Sequence, residues 1–204
     1  MIQMAKFPIE TIRHSASHLM AAAILKLYPD VKFDIGPSTE DGFYYDFDFD
    51  FGTVKLSVED LEKIEAEMTA IAAKKIPFER FEVSRDEALK ILTEKKQNFK
   101  VERLADIPEG EAISFYRCGD FVDLCRGPHV DNTGDIGAFK LTSIAGSYYR
   151  GKESNPMLTR IYGTAFADKK ELKAYLTQIE EAKKRDHRRL GITLLLRVML
   201  TDRH

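Results

Sequence analysis

The stretch GFYYDFDFDFG, Gly42 to Gly52, alternates without a break: Phe43, Tyr45, Phe47, Phe49 and Phe51 take one side, Tyr44, Asp46, Asp48 and Asp50 the other. A period of two marks a strand with one covered face. The reading is a half-buried strand whose acidic side stands in water. Asp46, Asp48 and Asp50 also match the first, third and fifth positions of a calcium-binding EF-hand loop. The glycine, however, comes at the seventh position, phenylalanines fill the gaps and the flanks read as strand. A solvated acidic face is the better account.

Outward from this strand, the same alternation continues in FERFEV (Phe78 to Val83), FKVERL (Phe99 to Leu104), AISFYRC (Ala112 to Cys118), FVDLC (Phe121 to Cys125), GAFKLTSIAG (Gly137 to Gly146) and TRIYGTAF (Thr159 to Phe166). Helices stand apart from them. Ser57 with Asp60 opens one whose Leu61, Ile64, Met68 and Ile71 share a face; Ser84 with Glu87 opens a second, and Asp168 with Glu171 a third. Each pairs a small polar residue with a carboxylate three positions on, the spacing of a capping box. A fourth helix spans about Glu10 to Leu27 and ends at Tyr28-Pro29-Asp30, with Leu19, Ala23 and Leu27 as its core-facing stripe. Short strands joined by turns and helices grouped apart predict an α+β fold with antiparallel sheet, not a doubly wound one.

Composition narrows the function classes. The chain has 204 residues, 44% hydrophobic and 31% charged, with a net charge of −2. That suits a packed globular protein and gives no overall attraction to nucleic acid. Positive charge is concentrated locally in KKRDHRR, Lys183 to Arg189, where a phosphate backbone or plain solvent would suit it equally. The longest apolar run, Ile192 to Leu196 and Val198 to Leu200, is interrupted by Thr193 and Arg197 and falls short of a membrane span. No secretory or transit signal opens the chain, so a cytoplasmic location is expected. Cys118 and Cys125 form neither a CxxC pair nor a disulfide framework and read as free thiols.

Chemistry gathers in two compact motifs, HSASH (His14, His18) and CRGPH (Cys125, His129). Four residues advance a helix by about 400°, so His14 and His18 project on the same side, one turn apart. Together the two motifs offer three imidazoles and a thiol, four donors for a tetrahedral zinc ion. They could equally form a metal-free hydrolytic site, because neutral imidazole can take a proton from water. Asp123 alternates in phase with Cys125 and so points the same way, and the Gly127-Pro128 turn brings His129 round beside it. An Asp near a His is the usual orienting partner. Cys125 as a nucleophile would need a depressed thiol pKa, for which the sequence gives no sign.

Taken together, RHSASHLM, FDIGPSTEDGFYYDFDF, YRCGDFVDLCRGPHV, FKLTSIAGSYYRG, PMLTRIYGTAF and AKKRDHRRLG resemble the second N-terminal domain, the editing domain, of bacterial-type threonyl-tRNA synthetases. The resemblance runs almost continuously from Ile12 to Gly191. The HxxxH plus CxxxH skeleton alone is shared with alanyl-type editing domains. The resemblance implies hydrolysis of mischarged Ser-tRNA(Thr), with His14, His18, Lys100, Asp123 and His129 as catalytic residues and Tyr45 and Cys125 as substrate-binding ones. Tyr45 is expected to help position the terminal adenosine, and Lys100 to reach the site from the FKVERL strand. It implies no required cofactor, with zinc possible through His14, His18, Cys125 and His129 as in alanyl-type relatives.

The implied partner is the acceptor end of tRNA(Thr) carrying serine, with no membrane or DNA partner. The alternatives are a non-catalytic module that binds the tRNA acceptor end, and an alanyl-type zinc-dependent Ser-tRNA(Ala) deacylase. The expected organisation is an editing domain over 1–167 with a smaller lobe at about 55–110, a linker helix over 168–191, and a tail over 192–204 that departs from the family. The family's ATP-dependent aminoacylation core has no room here. The chain is therefore expected to edit in trans or to be an excised domain.

Overall fold

The computed structural model describes residues 6–49, 55–182 and 184–185. In chain order these form α1 (Ile9–Leu27), β1 (Lys32–Phe33), β2 (Phe43–Asp48), α2 (Val58–Ala73), β3 (Glu79–Val83), α3 (Arg85–Glu94), α4 (Asn98–Ala105), β4 (Ile113–Cys118), β5 (Phe121–Leu124), β6 (Ala138–Tyr148) and β7 (Met157–Phe166). A helix follows over 169–182. Two antiparallel sheets result, one of order β1-β2-β7-β6 and one of order β3-β4-β5. The fold is α+β, as the pattern of strands and capping boxes predicts.

The chain divides into two compact units between Ala167 and Asp168. In the first, α1 packs against β2, β7 and α2. The larger core gathers Leu19, Ala23 and Ile24 of α1 with Phe43, Tyr45 and Phe47 of β2 and with Leu61, Ile64, Met68 and Ile71 of α2. The α2 face is the one read from the sequence. A smaller core, Ala88, Leu92, Leu104, Ile113 and Phe115, lies where α3 and α4 cover the second sheet. In the second unit, Asp168 Oδ1 accepts from the Lys170 and Glu171 backbone N–H groups at 2.7 and 2.9 Å, an N-cap at the predicted place. The remainder of the linker helix and the 192–204 tail lie outside the described residues. Among the described residues no helix is long and apolar enough to cross a membrane.

The structure corrects the sequence reading in three places. α1 is buried far beyond the Leu19, Ala23 and Leu27 stripe read from the sequence. Thr11, Ile12, Arg13 and every residue from Ser15 to Ile24 are buried, while Leu27, expected in the core, ends the helix exposed. A helix covered by sheet on one side and by α2 on another has few faces left for water. Of its buried polar side chains, Arg13 reaches the backbone carbonyls of Ala165, Thr39 and Glu40, and Ser15 and Ser17 also bond to backbone.

Second, the acidic side of β2 does not face water. Asp46 and Asp48 are each 4% exposed, and Arg160 on β7 forks onto Asp46 with bonds of 2.7 and 2.8 Å. Burial raises the Asp46 carboxyl pKa, the Arg160 hydrogen bond opposing it. Asp50 and Phe51 lie outside the described residues.

Third, FKVERL is not a strand but most of α4. Gln97, at the N-cap, accepts from Phe33 N at 2.8 Å and donates to Val31 O at 3.1 Å. Arg103 forks onto Asp34 at 2.7 and 2.8 Å. These side-chain bonds dock the segment along β1 as a helix and outweigh the β propensity of Phe99 and Val101.

Helix starts are set as the sequence indicates. At α3 the Ser84 hydroxyl accepts from Glu87 N while Glu87 accepts from Ser84 N at 3.0 Å. Ser84→Ala is expected to lower stability by about 1 kcal/mol, read as a fall in the urea midpoint at unchanged slope.

Candidate functional site

Five pieces of chain bring the predicted site residues together. α1 presents His14 and His18, β2 Tyr45, α4 Lys100, β5 Asp123, and the segment after β5 Cys125 and His129. That segment turns sharply through Gly127, at φ 73°. A side chain at Gly127 would overlap the Tyr116 ring, so both the conformation and the space favour glycine. All seven residues lie in one cluster, and the α4 helix delivers Lys100 to it as the strand reading had also expected.

Two linked groups make up the cluster. In the first, Asp123 is the hub. Its Oδ1 lies 2.5 Å from Lys100 Nζ, and its Oδ2 accepts from the Tyr45 hydroxyl at 2.5 Å and stands 3.5 Å from His18 Nε2. Asp123 is 3%, Lys100 4%, Tyr45 0% and His18 2% exposed, so an opposite charge and a phenol satisfy a carboxylate that water does not reach. Burial raises the Tyr45 pKa well above its usual value, and the Asp123 charge adds to this. Tyr45 is therefore a hydrogen-bond donor to Asp123.

In the second group, Cys125 Sγ lies 3.4 Å from His14 Nε2 and 3.5 Å from His129 Nε2. The three imidazoles crowd together, with ring centroids 5.0 Å (His14–His18), 4.3 Å (His14–His129) and 4.2 Å (His18–His129) apart. Burial lowers the pKa of all three. The Asp123 charge partly opposes this at His14 and His129, while the crowding of the imidazoles, which disfavours a proton on any one of them, reinforces it at His18 and His129, with Lys100 adding to it at His18; both fall well below the usual range. They are neutral at physiological pH. Burial and the Asp123 charge push the Cys125 thiol up to about 12, so it is no thiolate nucleophile.

One donor atom from each of His14, His18, Cys125 and His129 lies within 4.8 Å of the others. Three imidazoles and a sulfur are a donor set that zinc accepts. Within that set His18 keeps a buried ring nitrogen, Nδ1, without a hydrogen-bond partner, a polar atom open to a ligand bond. The residues present fit the ion.

Two cavities of 310 and 320 Å³ open beside Leu25, Pro29 and Phe121, and neither is lined by a member of the cluster. Chemistry, rather than cavity size, marks the candidate site. Sequence reasoning missed three residues that shape it. Phe78 stacks on His129 at 5.0 Å and 11°, Tyr116 meets it edge-on at 4.4 Å, and Ser15 Oγ lies 3.1 Å from its Nδ1. The available signal was a small hydroxyl beside each histidine of HSASH, Ser15 next to His14 and Ser17 next to His18, which does not tell the two apart.

Residues 113–162 match the family described as the threonyl and alanyl tRNA synthetase second additional domain. Over 182 residues, 89% of this chain and 28% of the relative, the chain is 57% identical to a threonine–tRNA ligase of Acetivibrio thermocellus. Over the same length and shares it is 56% identical to that of Clostridium tetani and 57% identical to that of Carboxydothermus hydrogenoformans. The chain thus spans 28% of the length of these curated relatives.

Proposed function

We propose that this chain, which belongs with the second additional domains of threonyl-tRNA synthetases, hydrolyses the ester of serine mistakenly attached to tRNA(Thr), releasing serine and intact tRNA in the cytoplasm. One observation carries the reading: three neutral imidazoles gathered beside a buried Asp–Lys–Tyr group in a chain of that likeness. Discrimination at a synthetic site explains the need. One missing methyl is worth only about 1–3 kcal/mol in a pocket, roughly 10–200-fold, so a site built for threonine also admits serine. A second hydrolytic site corrects the error.

In the mechanism, His14 and His129 hold a water beside Cys125, and an imidazole takes its proton as the oxygen attacks the ester carbonyl. The Lys100 ammonium and backbone N–H groups stabilise the developing oxyanion. The carbonyl then re-forms, the bond to the ribose oxygen breaks, and the imidazolium returns its proton to that oxygen. Asp123 orients His18 and Lys100, Tyr45 holds Asp123 in place, and Cys125 lines the substrate side.

A second reading rests on the same donor set. His14, His18, Cys125 and His129 would hold zinc, and zinc bound there supplies a water of lowered pKa in an alanyl-type deacylase. The deciding experiment is deacylation of Ser-tRNA(Thr), Thr-tRNA(Thr) and Ser-tRNA(Ala), with and without chelator. Serine should leave tRNA(Thr) while the threonyl ester survives, chelator should change nothing, and His14→Ala with Lys100→Ala should stop the reaction. Protection of the seryl ester would instead identify a non-catalytic acceptor-end module, and chelator-sensitive hydrolysis of Ser-tRNA(Ala) the zinc enzyme.

A further inference from the structure

Ser15 lies one residue from His14 yet serves the other motif. Its hydroxyl has three polar neighbours: Thr11 O at 2.7 Å, Val130 N at 3.0 Å and His129 Nδ1 at 3.1 Å. A hydroxyl carries one proton and two acceptor lone pairs. Thr11 O can only accept, and two oxygens 2.7 Å apart need a proton between them, so the Ser15 proton lies there. Val130 N–H can only donate, which takes one lone pair. The remaining lone pair faces His129, and that contact is a hydrogen bond only if Nδ1 carries the ring proton.

We propose that Ser15 is a positioning residue that holds neutral His129 as its Nδ1–H tautomer, leaving the Nε2 lone pair free beside Cys125 to take the proton of the attacking water. The inference deepens the hydrolytic reading and rests on it for the water step. The tautomer itself rests on hydrogen-bond accounting alone. Free imidazole prefers the opposite tautomer, with the proton on Nε2, which would turn a donor toward the water and leave the ring without basic capacity there. The selection is well insulated: Ser15 is 0% exposed, and Val130, which shares its hydroxyl, is 1% exposed. Phe78 against the face of His129 and Tyr116 against its edge hold the ring plane that the bond requires.

The test reads the ring nitrogens directly. Protein with 15N-labelled histidine, freed of metal with chelator, is examined by two-bond 1H–15N correlation at neutral pH, with His129 assigned by its loss in His129→Asn. The native protein should show Nδ1 protonated and Nε2 unprotonated. Ser15→Ala should move His129 toward the Nε2–H form and lower kcat for Ser-tRNA(Thr) deacylation by roughly 10–100-fold at nearly unchanged KM. Ser15→Thr, which keeps the hydroxyl, should restore the nitrogen signature and most of kcat. Ser17→Ala, which removes a buried hydroxyl whose one proton is shared between His14 O at 2.8 Å and Gly36 O at 2.6 Å, should leave the His129 nitrogens as they were. An Nε2–H signature in the native protein, or an unchanged Nδ1–H signature in folded Ser15→Ala, overturns the proposal. If the native protein releases no serine, the hydrolytic reading fails, and the nitrogen spectra still decide the role of Ser15.

Discussion

Asp123→Ala is expected to cost about 3–5 kcal/mol of stability, a large fraction of what a single domain possesses. The substitution leaves the Lys100 ammonium, 4% exposed, without its counter-charge and the Tyr45 hydroxyl without its acceptor. Most of the loss is the penalty of an orphaned buried charge rather than the net worth of the pair. The double variant Asp123→Leu with Lys100→Met should therefore recover much of the stability while remaining inactive toward Ser-tRNA(Thr). Urea unfolding of Asp123→Leu, Lys100→Met and the double variant closes the cycle. A coupling energy near zero would mean that Lys100 and Asp123 are not a pair in solution.

Acid should unfold the protein before it titrates the site. In the unfolded chain each imidazole takes its proton near pH 6.5. In the fold, burial holds His14 below that value, and burial with the crowding of the imidazoles holds His18 and His129 far below it, Lys100 adding to this at His18. As pH falls through 6.5, the unfolded state binds protons that the native state refuses. Stability is thus complete above that pH and drains away beneath it. For His18 and His129 together the slope approaches roughly 3 kcal/mol per pH unit. Urea midpoints measured from about pH 7.5 down to about pH 5 check this, and a flat profile would contradict it. Deacylation should keep its neutral bases below pH 6.5 and fail on the acid side chiefly because the fold does.

Much of this arrangement is legible in the chain itself, and the misses share a cause. The β2 alternation, the Ser84 and Asp168 caps, the α2 face and the one-turn spacing of His14 and His18 are local facts, and local facts survive folding. Lys100 came to the cluster by way of a helix that its sequence disguises, because Gln97 and Arg103 choose the conformation by bonding to Val31, Phe33 and Asp34, more than sixty residues earlier. The burial of Asp46 depends on Arg160, 114 positions away. The stripe read on α1 was too narrow for the same reason: nothing near α1 in sequence announces that sheet and helix will enclose it. Ser15 was missed because its importance lies in a proton count across three partners, two of them more than a hundred residues distant.

β2 is bonded on both sides by partners it cannot exchange. Tyr45 gives its proton to Asp123 on one face, and the next residue, Asp46, holds Arg160 on the other. Sliding the strand by one position so that Asp46 takes the place of Tyr45 would bring its carboxylate against Asp123 and the Phe47 ring against Arg160, turning two attractions into a repulsion and an unpaired charge. A residue inserted into or deleted from this stretch should therefore cost the protein more than a conservative replacement on its outer edge.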